Sequence, residues 1–149
     1  MDPQKAVFRL LKFREYSEKE IHDKLKKKNF PPDILDRTID YFKGLGLIND
    51  RLFAQKWIRA RLAKPFGPNR IQFELKAKGI SEEIIKKELP DALSQFPEEE
   101  IVLKLAKERA AKYQNIDQDK LKQRVYGYLA RRGFRREMIL EAIERLNKQ

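Results

Sequence analysis

Lys28-Asn29-Phe30, Lys78-Gly79-Ile80 and Arg132-Gly133-Phe134 are one short phrase written three times along the chain. Aligned on Phe30, Ile80 and Phe134, the surrounding apolar residues fall into register. Leu25, Leu75 and Leu129 stand five positions earlier, and Ile21, Ile71 and Val125 nine earlier. Ile34, Ile84 and Met138 follow four positions later, Leu35, Ile85 and Ile139 five later, and Ile39, Leu89 and Ile143 nine later. The anchors are 50 and 54 residues apart, so the chain carries three copies of one structural unit. Self-similarity at a fixed period marks a repeat array, whose copies stack and offer an extended binding surface. That tilts the expected function away from catalysis.

Each copy has legible punctuation. Asn29, Gly79 and Gly133 sit where a helix ends and the next residue turns left-handed, which Gly adopts freely and Asn tolerably. The apolar residue beyond such a cap packs back on the helix, pairing Phe30 with Leu25, Ile80 with Leu75 and Phe134 with Leu129. The starts of these middle helices are marked as well. Ser17 with Glu20 reads as a capping box, with Tyr16 stapled to Ile21. Gly67 caps the second, Pro68 takes its first helical position and Phe66 staples to Ile71. Asp117 caps the third, with Ile116 against Leu121, making that helix about a turn longer.

A second helix begins directly after each turn, opened by Pro32 in copy one and capped by Ser81 in copy two. A further helix precedes each middle helix, marked by Leu10-Leu11 with Arg14, Trp57-Ile58 with Arg61, and Leu105-Ala106 with Arg109. Strand alternation and tight hairpin signals are absent. The expected fold is all-α: an elongated tandem array of three three-helix repeats, about nine helices, at 1–50, 51–96 and 97–149. Boundaries fall at Gly44-Leu45-Gly46-Leu47-Ile48-Asn49, where Asn49 caps and Ile48 staples to Phe53, and around Pro90 to Pro97. Pro90 should kink or stop its helix. The Pro97-Glu98-Glu99-Glu100 run reads as a helix first turn, its acids complementing the dipole. Small-angle scattering should give a radius of gyration above the roughly 15 Å of a globule of this length.

Composition narrows the function. Charged residues make up 38% of the chain, so a large hydrophobic pocket is not expected. No apolar run approaches the length of a membrane span, and no secretory leader opens the sequence. Zero cysteines remove disulfides, thiolate chemistry and cysteine–zinc sites, and fit a cytoplasmic protein. The single histidine, His22, follows a core position and should be partly exposed and idle. Gly67-Pro68-Asn69-Arg70 lacks the spacing of either nucleotide-binding loop. No catalytic residue, cofactor or metal is expected.

Net charge is +11, and its distribution is uneven. Residues 51–80 carry Arg51, Lys56, Arg59, Arg61, Lys64, Arg70, Lys76 and Lys78 against Glu74 alone, a net +7. Residues 120–136 carry Lys120, Lys122, Arg124, Arg131, Arg132, Arg135 and Arg136 with no acid, again +7. Clusters of this kind are the footprint of a polyanion partner, because neutralised phosphates release condensed counterions. A face kept basic only for solubility would be served by balanced charge. The candidate surface is therefore Arg59, Lys64, Arg70, Lys76, Lys78, Arg124, Arg131, Arg132, Arg135 and Arg136. Arg14, Arg61 and Arg109 recur with the fold and read as seam residues that pack their stems and cap helix ends.

Four motifs in order resemble a known family. Ser17-x-x-Glu20-Ile21-x-x-Lys24-Leu25-x-x-Lys28-Asn29-Phe30 is similar to the first-repeat motif of the RecX family, regulators of the bacterial recombinase RecA. Gly44-Leu45-Gly46-Leu47-Ile48-Asn49-Asp50-x-x-Phe53-Ala54 resembles its inter-repeat signature. Gly67-Pro68-x-Arg70-Ile71-x-x-Glu74-Leu75-x-x-Lys78-Gly79-Ile80 resembles the second repeat, and Tyr128-Leu129-x-Arg131-Arg132-Gly133-Phe134 the third. Asn29 departs from the usual Gly, and Asn69 from a residue that is often basic. The resemblance implies an elongated array lying in the groove of the RecA–DNA filament. It implies lowered strand exchange, ATPase and coprotease activity, through blocked filament growth or promoted disassembly. Implied partners are the RecA filament, single-stranded DNA and, weakly, double-stranded DNA, met by a monomer.

A rival reading makes one copy a helix-turn-helix that reads DNA directly, with Arg131, Arg132, Arg135 and Arg136 at the groove. Against it, capping alone explains the turn in all three copies. Residues 135–141 also offer few groups able to read a base edge. A third reading, an adaptor for an acidic protein, leaves DNA out, and titration of the chain against DNA at varied salt separates it.

Overall fold

Helices form where the caps predict them. The computed structural model describes residues 2–148, and among these it contains nine α-helices and no strand. In chain order they are α1 (Pro3–Phe13), α2 (Glu18–Lys27), α3 (Pro32–Gly44), α4 (Asp50–Leu62), α5 (Pro68–Ala77), α6 (Glu82–Leu93), α7 (Glu98–Ala110), α8 (Gln118–Arg131) and α9 (Arg136–Asn147).

The three turns have the expected geometry. Asn29, Gly79 and Gly133 lie at φ of 67°, 80° and 94°. Phe30 N donates to Leu25 O at 3.5 Å, Ile80 N to Leu75 O at 3.0 Å, and Phe134 N to Leu129 O at 3.2 Å. The left-handed residues bond three back, to Lys26, Lys76 and Ala130 carbonyls at 3.0, 3.0 and 2.9 Å. Both hydrogen bonds of a Schellman cap are thus present three times. A fourth ends α3: Gly46 has φ of 75°, and Leu47 N donates to Phe42 O at 3.0 Å.

Helix starts follow the same logic. Ser17 and Glu20 make both halves of a capping box. Asp117 accepts from Asp119 N at 2.8 Å, Asn49 from Leu52 N at 3.1 Å, and Ser81 from Ile84 N at 3.3 Å. α8 has 14 residues against ten in α2 and in α5, the extra turn its early Asp117 cap allows. One expectation needs correcting. Pro90 does not stop α6, which runs on to Leu93. Proline removes one donor near the end of the helix, but its own carbonyl still accepts, from Ser94 N at 3.0 Å, and the helix continues past it.

The residues divide into two compact units. The first comprises residues up to Trp57 together with Glu74–Glu88, and the second Ile58–Phe73 together with the residues from Leu89 onward. In the first, Val7 of α1, Ile21 and Leu25 of α2, and Leu35, Ile39 and Phe42 of α3 make a buried core, with Tyr16 and Phe30 packed against it. In the second, Val102 and Ala106 of α7, Val125 and Leu129 of α8, Phe134, and Ile139 and Ile143 of α9 do the same. Every one of the repeated apolar positions nine and five before the anchors is buried and adds to the hydrophobic stabilisation.

Inside the first unit, the start of α2 meets the turn after α5. Ser17 Oγ donates to Lys78 O at 2.6 Å, and a Cβ on Gly79 would overlap the Lys19 side chain. Lys78 Nζ lies 3.1 Å from Glu20 Oε2 and 4.4 Å from the centre of the Trp57 ring. Glu20 also accepts from Arg14 Nη2 and from Ser17 N, each at 3.0 Å. Burial pushes the Glu20 carboxyl up, but the hydrogen bonds from Arg14, Ser17 N and Lys78 outweigh it and hold the group below its ordinary value.

A carboxylate depressed in the fold contributes stability above its unfolded pKa and loses it as pH falls through the folded one. Glu20→Gln should therefore cost about 1–2 kcal/mol at pH 7. The gap to the unaltered chain should close as pH falls below the ordinary glutamate value of 4.5. Asp50, raised by burial, titrates in the opposite sense, so thermal melts of variant and parent are compared at each pH. A gap constant down to pH 3 would mean that Glu20 acts by shape and not by charge.

Candidate polyanion-binding surface

The middle of the first basic segment is stitched to the second basic segment inside the second unit. Residues 58–73 contribute Arg59, Arg61, Lys64 and Arg70 with no acid, and all of 120–136 belongs to the same unit. Gly67 N donates to Arg132 O at 2.7 Å, and Asn69 N to Gly133 O at 2.8 Å. The backbones approach so closely that a Cβ on Gly67 would overlap the Gly133 carbonyl carbon. Gly67 is thus required by contact as much as by capping, which the sequence alone did not show. This junction is the counterpart of the Ser17–Lys78 one, the start of a middle helix against the turn of the following copy.

Arg132 fastens the junction. Its Nε donates to Pro65 O at 3.1 Å, and its Nη2 to Pro65 O at 2.9 Å and Lys64 O at 3.2 Å. Three guanidinium groups gather on one ring: Arg61, Arg70 and Arg132 lie 3.9, 4.3 and 4.4 Å from the centre of Phe66. Cation–π contacts of this kind contribute about 0.5–2 kcal/mol each. Arg14 and Arg109, the counterparts of Arg61, sit 3.6 Å from the Tyr16 ring centre and 4.4 Å from that of Tyr128. The recurring arginine is therefore held on an aromatic ring in every copy.

The ten residues of the candidate surface fall into two groups. Lys78, Arg132 and Arg135 are half-buried and engaged within the fold. Arg135 is bound to Glu98, whose side chain is only 6% exposed. In sequence Glu98 looked like one acid among three in an exposed first turn; it is a buried carboxylate with a single arginine to answer it. Nothing local signalled this pairing. Arg135→Ala should leave that charge uncompensated and destabilise by about 2–4 kcal/mol, and Glu98→Gln with Arg135→Ala should recover part of the loss. Chemical denaturation of the single and double variants checks this.

Arg59, Lys64, Arg70, Lys76, Arg124, Arg131 and Arg136 are exposed. Arg124 reaches the Tyr113 ring at 5.3 Å, and Lys76 lies 3.9 Å from Glu82 in open solvent, a pair of little energetic weight. Arg59, Lys64, Arg131 and Arg136 make no ion pair among the described residues. His22 is 44% exposed beside Asp23. Among the described residues no group of acidic, histidine or cysteine side chains is placed to hold a metal, and no helix is long and apolar enough to cross a membrane.

Models of the RecX three-helix domains match this chain in order, the first over 5–42, the second over 49–89 and the third over 97–143. The chain belongs to the RecX family. The regulatory protein RecX of Chlorobium phaeobacteroides (strain BS1) is 36% identical over 97% of this chain and 95% of its own length. That of Mycolicibacterium smegmatis (strain ATCC 700084 / mc(2)155) is 34% identical over 93% of this chain and 76% of its own. The crystal structure of RecX from Lactobacillus salivarius matches with a TM-score of 0.84 at 25% identity, over 99% of this chain and 96% of that one. A further crystal structure of a regulatory protein RecX gives 0.81 at 27% identity, over 95% and 71%. All ten basic residues lie within the second and third RecX domain matches.

Proposed function

We propose that this RecX-family chain binds the RecA–DNA filament through the basic surface of its second unit and lowers recombinase, ATPase and coprotease activity. The observation that carries the reading is the junction itself. Gly67 and Asn69 bond to Arg132 and Gly133 and so gather two stretches free of acids, 58–73 and 120–136, in one body. A nucleoprotein filament offers phosphate and acidic protein along a continuous path, which such a surface complements. Arg59, Lys64, Arg70, Arg131 and Arg136 are the residues assigned to contact. Arg132 and Arg135 hold the shape that presents them. The chain acts in the cytoplasm as a monomer and contributes binding, not chemistry.

The test is RecA ATPase on single-stranded DNA with increasing amounts of the chain. Inhibition at stoichiometries well below one per recombinase subunit indicates action on filament ends, and inhibition only near saturation indicates occupation of the groove. Unchanged ATPase together with tight, sequence-dependent binding to duplex DNA would support the helix-turn-helix reading instead. That outcome is disfavoured here because Arg132 and Arg135, two of its four groove residues, are already engaged.

A further inference from the structure

Phe73 is 74% exposed, although it sits in the middle of a ten-residue helix whose opposite face is fully buried. Ile71 and Leu75 supply that buried face, both at 0% exposure. At 100° per residue the outward face of α5 carries Asn69, Arg70, Phe73, Lys76 and Ala77, and every one of them is exposed. It presents an aromatic ring with a cation three residues to either side and no acid. Side chains at that spacing are surface neighbours, about 5–6 Å apart at Cβ.

The repeat supplies an internal control. Seven residues before the anchor, copies one and three have Asp23 and Gly127 where copy two has Phe73. The flanking sites differ too: Glu20 and Lys26 in copy one, Arg124 and Ala130 in copy three, against Arg70 and Lys76. The three-helix fold therefore forms without an aromatic at this position, and packing does not account for it. A ring exposed to water between two cations is the arrangement by which proteins hold single-stranded nucleic acid, bases stacked and phosphates neutralised.

We propose that α5 offers Phe73 as a stacking platform for an unpaired base of single-stranded nucleic acid, with Arg70 and Lys76 taking the phosphates on either side. The proposal rests on the basic-surface reading and adds the side chain by which an unstacked strand would be favoured over a duplex. Its test uses DNA alone, so its failure is distinct from failure to regulate the recombinase.

The experiment is fluorescence anisotropy of a labelled oligo-dT and of an abasic oligomer of equal length, titrated with the full chain at low salt. The unaltered chain should bind oligo-dT on the order of tenfold tighter than the abasic strand, as one stacked base provides. Phe73→Ala should erase that preference while leaving the slope of log K against log salt unchanged, because no charge is removed. Phe73→Trp should restore it, and its added indole emission should be quenched by oligo-dT and not by the abasic strand. Equal binding of both strands by the unaltered chain overturns the proposal, as does a preference that survives Phe73→Ala. Loss of recombinase inhibition in Phe73→Ala with the oligo-dT preference intact also overturns it, and would make the ring a protein anchor.

Discussion

Gly133→Val should destabilise the protein by roughly 3–5 kcal/mol, combining a left-handed backbone with a clash in a packed junction. Gly133 has φ of 94°, and a Cβ there would overlap Arg70 Cβ and stand 2.9 Å from Arg70 Cα. Neither neighbour is the free end of a flexible side chain, so relief requires backbone movement. Two comparisons separate the causes. Gly46 has φ of 75° with open space around it, so Gly46→Ala should carry the backbone strain alone, about 1 kcal/mol. Gly67 is not among the positive-φ residues, so Gly67→Ala should carry the overlap alone, about 1–3 kcal/mol. Asn29→Gly, at φ of 67°, should be neutral or slightly stabilising. Thermal melts of the four variants, followed by circular dichroism, check the set. A Gly133→Val protein melting with its parent would break the cap assignment on which the repeat register depends.

Arg59→Glu combined with Arg131→Glu should raise the concentration needed for half-inhibition of RecA ATPase by on the order of 100-fold, while helicity and melting temperature stay unchanged. Both side chains are exposed and free of ion pairs among the described residues, so their reversal breaks no salt bridge there. Arg135→Glu is a poorer probe, because it sets a second acid against buried Glu98 and lowers activity by unfolding. Lys26→Glu with Lys27→Glu is the control. The first 50 residues carry eleven basic and nine acidic groups, a net +2, and those lysines close α2 in the first unit. Inhibition that survives the Arg59 and Arg131 reversal would reduce the basic surface to a solvated face.

Local rules made most of the architecture readable. Ser17 with Glu20, Asp117, Asn29, Gly79 and Gly133 act on backbone groups within five residues of themselves, so their chemistry is visible in the sequence. Gly46 was open to the same rule, with Leu47 bonded back to Phe42, but its place in a Gly-rich boundary disguised a helix cap as a linker. What stayed hidden depended on partners far along the chain. Glu98 and Arg135 are 37 residues apart, and Arg132 and Pro65 are 67 apart. No spacing rule links such positions, so the sequence does not reveal that three of the ten candidate cations are engaged inside the fold. Charge density marks the basic segments and does not divide their residues between those engaged inside the fold and those left exposed. The division of packing also differs from the division of sequence: residues 58–73 of the second copy go with the third copy's helices, and residues 74–88 with the first's.

The two matching junctions impose an order on folding during synthesis. Ser17 finds its partner at Lys78, and Gly67 finds its partner at Arg132. As the chain leaves the ribosome, the start of the first middle helix is released more than sixty residues before the turn whose carbonyl accepts the Ser17 hydroxyl. The second waits equally long for the third copy. Maturation therefore runs from the N-terminus in two delayed steps, each a long loop closure. A nascent chain arrested before residue 132 would hold the first junction and lack the second, leaving Gly67 N without its acceptor. Until the second junction closes, the surfaces that it covers stay open to proteolysis and to association with other chains.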